Sequence, residues 1–215
     1  MKKLTFLLLA LLIISSACKK EEKEETPANI VLKPTASQKG FAMEYTATWC
    51  HPCGEWGSPL IHQYASKAPN GAIITVHESG DPMYNDILEF SLTTNRPFNS
   101  GIPFFWVGDT ADADEIDAMV DLLATGNAVA GVDISYTKSG NTMTVKTKTE
   151  FFSDAQGDYN LSVLVLEDGI DGYSAGEYKQ EGSHSDSYTH DFVLRASASE
   201  YDAFGELISS NPKKD

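Results

Sequence analysis

Basic residues are scarce in this chain, with 16 Lys and Arg against 31 Asp and Glu and a formal net charge of −15. A nucleic-acid partner demands clustered cations, so that class is set aside and no nucleic acid is expected. Cysteine is scarcer still, at three residues. A structural zinc site wants four ligands, and the chain has one Cys-x-x-Cys pair and no second. His62, His77, His184 and His190 are scattered along the sequence, so neither metal nor other cofactor is expected. No glycine-rich phosphate loop, Ser-His-Asp arrangement or internal repeat stands out. Hydrophobic residues at 41% and charged residues at 22% are ordinary for a globular protein.

The one strongly apolar run, Leu4 to Ile14, is too short to span a bilayer. It follows the basic Met1-Lys2-Lys3 and precedes Ser15-Ser16-Ala17-Cys18. That order resembles a bacterial lipoprotein signal, which implies removal of residues 1–17 and a membrane-anchoring lipid on Cys18. Lys19 to Pro27 has no apolar periodicity and reads as a charged tether, so residues 18–27 are expected outside the fold.

The chemistry-bearing stretch is Trp49-Cys50-His51-Pro52-Cys53. Two thiols at this spacing can close a small disulfide ring or chelate a metal. Downstream, Ile102-Pro103 opens the apolar run Phe104-Phe105-Trp106-Val107. X-Pro is the one peptide bond that takes the cis form cheaply, at about 0.5–1 kcal/mol. Trp-Cys-x-x-Cys followed by an X-Pro at the mouth of a strand resembles the thioredoxin superfamily. The resemblance implies a cis-proline facing the dithiol, an exposed Cys50 as nucleophile at a helix N-terminus, and a more buried Cys53 as resolving thiol. Such placement lowers cysteine pKa values from about 8.5 to about 3.5–7.5. His51 would add partial positive charge beside Cys50. Ile102 would offer backbone groups to a client strand, and Trp49 would pack as a lid over the thiols. Glu44 stands where thioredoxins carry a buried acid; it either lies beneath the dithiol as a proton relay or points to solvent from an edge strand.

Residues 28–127 read as alternating strands and helices, an α/β thioredoxin-like domain. The apolar runs 41–46 and 72–77 are expected strands, and helical spacing follows Cys53 through Trp56, Leu60, Ile61 and Tyr64. Asp81-Pro82 predicts the start of a helix to about Asn95, and Asp109 or Thr110 the start of another, ended by Gly126. From residue 128 the texture changes. Alternating strands flank the hairpin Lys138-Ser139-Gly140-Asn141, a third strand runs from Tyr159 to Leu166 and a fourth from Thr189 to Ala196. Residues 167–188, rich in Gly, Ser and Asp, read as a long surface loop. Residues 128–215 are thus expected as an antiparallel β-sandwich-like domain, incomplete at its C-terminus.

A lipoprotein signal, a Trp-Cys-x-x-Cys domain and a β domain with His190-Asp191-Phe192-Val193-Leu194-Arg195 together resemble the outer-membrane-protein-twenty-eight-related lipoproteins. The resemblance implies a lipid-anchored protein of the bacterial cell envelope, on the periplasmic or surface face of the outer membrane. Two functions are carried forward. One is a thiol-disulfide oxidoreductase using Cys50 and Cys53 on exported client proteins, served by an envelope redox partner. The other is a surface lipoprotein that binds a protein or glycan through its β domain, with the disulfide structural.

Overall fold

The computed structural model describes residues 30–69, 71–85, 101–108, 110–111, 114–123, 126–199 and 204–215. The signal, Cys18, the tether, Asp109 and the expected helical positions Ile87 to Asn95 lie outside the described residues. The chain is a mixed α/β protein, mostly strands in sheets with few helices.

Strand β1 (Phe41–Thr46) is buried along nearly its whole length, because it is paired on both sides. Strand β2 (Ala72–His77) runs parallel to it, setting Glu44 beside Thr75 and Thr46 beside His77. On the other side β3 (Phe104–Val107) runs antiparallel and sets Glu44 beside Phe105. The short β4 (Thr110–Ala111) continues from β3, so Thr110 is a strand residue rather than the helix cap expected there. Helix α1 (Ser58–Lys67) is preceded by a π-helical turn at Cys53–Gly57, and α2 spans Ile116–Asp121.

Side chains alternate across a strand, so the sheet has two apolar faces. Ala42, Ile73, Phe105 and Val107 pack under Leu60, Ile61 and Tyr64 of α1 and Met119 of α2. Met43, Tyr45, Ile74, Val76, Phe104 and Trp106 form a second core on the opposite face. The same alternation puts Glu44, Thr46, Thr75 and His77 on the face that α1 covers.

The expected boundary at residues 127/128 is not respected by the sheet. Its order is β4-β3-β1-β2-β11-β8, where β8 is Leu164–Glu167 and β11 is Val193–Ser197. Strand β11 adds parallel to β2 with Val193 beside Thr75, and the Thr75 N–H donates to the Phe192 carbonyl at 2.8 Å. The physical cause is the free edge of β2. A strand apolar on both faces exposes unpaired backbone groups unless something covers them, and the buried Val193 and Leu194 do so.

Two expected strands are therefore split. Tyr159 to Leu166 divides into β7 (Asp158–Leu161), paired with β12 (Glu206–Ser210), and β8, paired with β11. Thr189 to Ala196 divides at Phe192, whose φ is 61°, into β10 (Thr189–His190) and β11. The remaining β9 (Ile170–Asp171) pairs with β10, and β5 (Ala130–Ser139) with β6 (Thr142–Phe151) across the Gly140-Asn141 turn. A β-sandwich-like unit over 128–215 does not describe this arrangement, since β8 and β11 belong to the sheet that carries the dithiol.

Candidate functional site

The chain leaves β1 at Thr46 and turns through Ala47–Trp49, with the Cys50 N–H donating to the Ala47 carbonyl at 3.2 Å. Cys50 and Cys53 form a disulfide at the start of the helical segment, Cα to Cα 5.2 Å. The Cys53 N–H points at Cys50 Sγ from 3.2 Å. A free amide aimed at this sulfur at a helix N-terminus favours the thiolate once the disulfide opens.

Ile102 and Pro103 lie across from the disulfide, joined by a cis peptide bond. The Ile102 carbonyl oxygen stands 3.5 Å from Cys50 Sγ, and the Ile102 side chain packs on the two cysteines and Ala47. In the disulfide this is a close contact without a hydrogen; a Cys50 thiol would donate to that oxygen. Pro103 faces Gly57, where a Cβ would come within 2.7 Å of the Pro103 Cβ and 3.0 Å of Glu44 Oε1. Only a residue without a side chain lets this turn lie so near both.

Glu44 is fully buried on a strand paired on both sides, so it does not point to solvent from an edge strand. Burial pushes its carboxyl up to about 8. Neither carboxylate oxygen, nor Thr46 Oγ1, has a hydrogen-bond partner among the described residues. They face a cavity of about 10 Å³, also lined by Ser58, His77, Tyr188 and His190. That is close to the space one water needs. At neutral pH Glu44 is mostly a carboxylic acid.

One expectation, an exposed Cys50, is corrected. Cys50 is only 5% exposed. Trp49 is 52% exposed, and the side chain that packs on the two cysteines is Ile102. His51 reaches along the helix to Glu55, Nδ1 to Oε2 3.7 Å, with both side chains solvated, and a pair so exposed is worth little.

Several site residues were missed by sequence reasoning. Gln180, from the stretch read as a surface loop, is 3% exposed, and its Nε2 donates to the carbonyls of Ala47 at 3.2 Å and Cys50 at 3.0 Å. The Glu181 N–H donates to the Thr48 carbonyl at 2.8 Å. Asp81 accepts the N–H groups of Thr48 and Met83 and lies 3.0 Å from His77 Nδ1, both side chains out of solvent. Burial pushes the Asp81 carboxyl up, but His77 and the two amides outweigh it and hold it at about 2. His190 is pushed down to about 4, chiefly by burial, so its ring is neutral at pH 7. Since Nε2 meets the Tyr178 carbonyl at 2.7 Å, that nitrogen carries the proton. The Tyr188 hydroxyl donates to Ser58 Oγ at 2.8 Å. A helix is expected to start at Asp81-Pro82, but Pro82 and Met83 form a turn and no helix begins there among the described residues; the partnership of Asp81 with His77 left no mark in the sequence. Among the described residues, no three His, Cys, Asp or Glu side chains are grouped as metal ligands.

No family model matches the chain, and no curated protein matches it. Among solved structures it is similar to HBP35 of Porphyromonas gingivalis, with a TM-score of 0.61 and 15% sequence identity. The match covers 82% of this chain and 61% of that one, so the likeness spans under two thirds of the longer protein. At this identity the likeness is one of fold.

Proposed function

We propose that this protein is a thioredoxin-like thiol-disulfide oxidoreductase of the bacterial envelope, related to the outer-membrane-protein-twenty-eight-related lipoproteins and anchored by lipid on Cys18. The observation that carries the reading is a disulfide at a helix start, with the Ile102 carbonyl 3.5 Å from Cys50 Sγ and a buried acid on the strand that leads into the cysteine turn. The exchange balances without a cofactor. A client thiolate attacks Cys50 Sγ, forming a client–Cys50 disulfide and releasing Cys53 as a thiolate. Glu44, protonated at neutral pH, is the acid available to neutralise that buried charge. A second client thiolate then attacks the client sulfur of the mixed disulfide, and Cys50 leaves as a thiolate stabilised by the Cys53 N–H. The client gains a disulfide and the protein gains two electrons, which an envelope redox partner must remove. The reverse sequence reduces a client.

The test is Cys53→Ala, which keeps the attacking sulfur and removes the resolving one. Mixed disulfides between Cys50 and exported proteins are expected to accumulate. Recovery of none, with sluggish alkylation of Cys50 at neutral pH, would overturn the proposal.

A second reading has its own support. One face of the β5–β6 hairpin presents Val132, Ile134, Tyr136 and Met143 to solvent, an apolar stripe of the kind that marks interaction surfaces. In that reading the protein is a surface lipoprotein that binds a protein or glycan, and the disulfide is a clip. The reduction potential separates the two. About −120 mV marks an oxidant and about −270 mV a reductant, while a value below about −300 mV marks a structural disulfide.

A further inference from the structure

We infer that residues 172–188 form a strap that selects the clients able to reach Cys50, and that Gln180 is its positioning residue; this rests on the oxidoreductase reading above. The strap leaves the core at β9 and returns at β10, and its two ends meet, the Gly172 N–H donating to the Tyr188 carbonyl at 3.1 Å. A compact loop with joined ends is often functional. Its apex lies on the dithiol. Gln180 donates from one amide group to the carbonyls of Ala47 and Cys50, on either side of Trp49. Glu181 ties to Thr48 between them. The helix start is shaped to receive the strap, because a Cβ at Gly54 would come within 2.8 Å of Gln180 Cγ and of the Ser183 nitrogen. Gly182, at φ +77°, lies against the His51 carbonyl, where no side chain fits. The feet are fixed by Tyr188 on Ser58 and by His190 on the Tyr178 carbonyl.

This closes one flank of a site whose other flank is closed by Ile102. Cys50 is left 5% exposed, beside the solvated Trp49, His51 and Pro52. A disulfide bond needs the two sulfurs about 2 Å apart. A folded client with its sulfur on a broad surface is held off by this rim, whereas an extended segment can thread its sulfur to Cys50. The preferred clients are therefore unfolded or extended cysteine-bearing polypeptides. The opening event is release of the strap apex, and one acceptor at that apex, Gln180 Oε1, has no partner among the described residues.

The experiment compares the full chain with its Gln180→Ala variant on two probes, a short peptide with one internal disulfide and a folded protein with a surface disulfide. Wild type is expected to exchange faster with the peptide. In Gln180→Ala the ratio of folded-protein to peptide kcat/KM should rise roughly tenfold, the factor for about 1.4 kcal/mol, while the reduction potential stays put. A merely structural role for Gln180 would slow both probes alike. Tyr188→Phe, which loosens a foot without touching the cysteine loop, should shift the ratio the same way, and it decides the matter if Gln180→Ala does not fold. An unchanged ratio in the folded variants, or a wild type indifferent to the probe, overturns the strap. Failure of wild type to exchange with either probe or with a small-molecule disulfide sinks the oxidoreductase reading instead.

Discussion

Replacing Glu44 by Gln keeps the shape of a fully buried side chain and removes its ability to ionise. In the folded protein the carboxyl is raised from 4.5 to about 8 by burial. Between those values the unfolded chain carries a carboxylate and the folded one a neutral acid. The native state then binds more protons, so stability falls as pH rises through this window and levels off above it. At about 1.4 kcal/mol per pH unit the full loss is on the order of 5 kcal/mol. That is a large part of the roughly 5–15 kcal/mol that holds a domain folded. The Gln variant escapes it.

The assay is urea unfolding of both oxidised proteins from pH 5 to pH 9. The two stabilities should lie close at pH 5 and diverge in favour of Gln by several kcal/mol at pH 8. Other buried groups tilt both curves equally. His190, held down at about 4, adds stability as pH rises from 4 toward 6.5, the opposite sign. Asp81, held at about 2, contributes stability that is lost only as pH falls below its ordinary 3.8. Neither alters the difference between variants. Parallel curves would refute the reasoning, because they would mean that Glu44 is already ionised in the fold or reaches water.

Two further outcomes follow from the same surroundings. Asp81→Asn should lower the stability measured in urea by about 3 kcal/mol, because it leaves the buried His77 without its partner and weakens the cap on the Thr48 amide; a loss under about 1 kcal/mol would show that the pair is replaceable by neutral hydrogen bonds. Gly57→Ala should lower the melting temperature, since the overpacking of its Cβ on Pro103, typically about 1–3 kcal/mol, outweighs the helix-propensity gain of about 1 kcal/mol; a rise in melting temperature would place Pro103 farther from the turn.

The parts of this fold legible in the sequence are those set by short-range pattern. The runs 41–46, 72–77 and 104–107 announce strands by their apolar content, and Gly140-Asn141 announces the β5–β6 hairpin. Periodicity gives the period of a strand but not its partner. Val193 and Leu194 read the same whether they close a separate sandwich or cover the edge of β2. The break at Phe192 was hidden for a different reason. A Phe at φ 61° is held by its neighbours, its N–H donating to Asp168 Oδ1 at 2.7 Å, and not by any preference of its own. Glu44 was ambiguous because burial depends on β2 and β3 arriving on both sides of β1. The strap was lost to composition. Gly, Ser and Asp signal solvent, yet here the loop donates to three carbonyls of the cysteine turn, those of Ala47, Thr48 and Cys50.

Two fastenings bind the later half of the chain to the dithiol, and both come from one stretch. Thr75 of β2 is held by the backbone carbonyls of Asp191 and Phe192, one through its hydroxyl and one through its amide. The cysteine turn is held by Gln180 and Glu181, a dozen residues earlier. Between them stand Tyr188 and His190, which line the same small cavity as Glu44. A core of β1, β2, β3 and α1 alone would leave the helix start open on the side where Gly54 and His51 now meet the strap. The exposure of Cys50 and the polar surroundings of Glu44 are thus not fixed by the Cys-x-x-Cys motif and its flanking strands. They depend on residues more than a hundred positions away. Reactivity at this dithiol should accordingly respond to substitutions in 172–193 that touch neither sulfur.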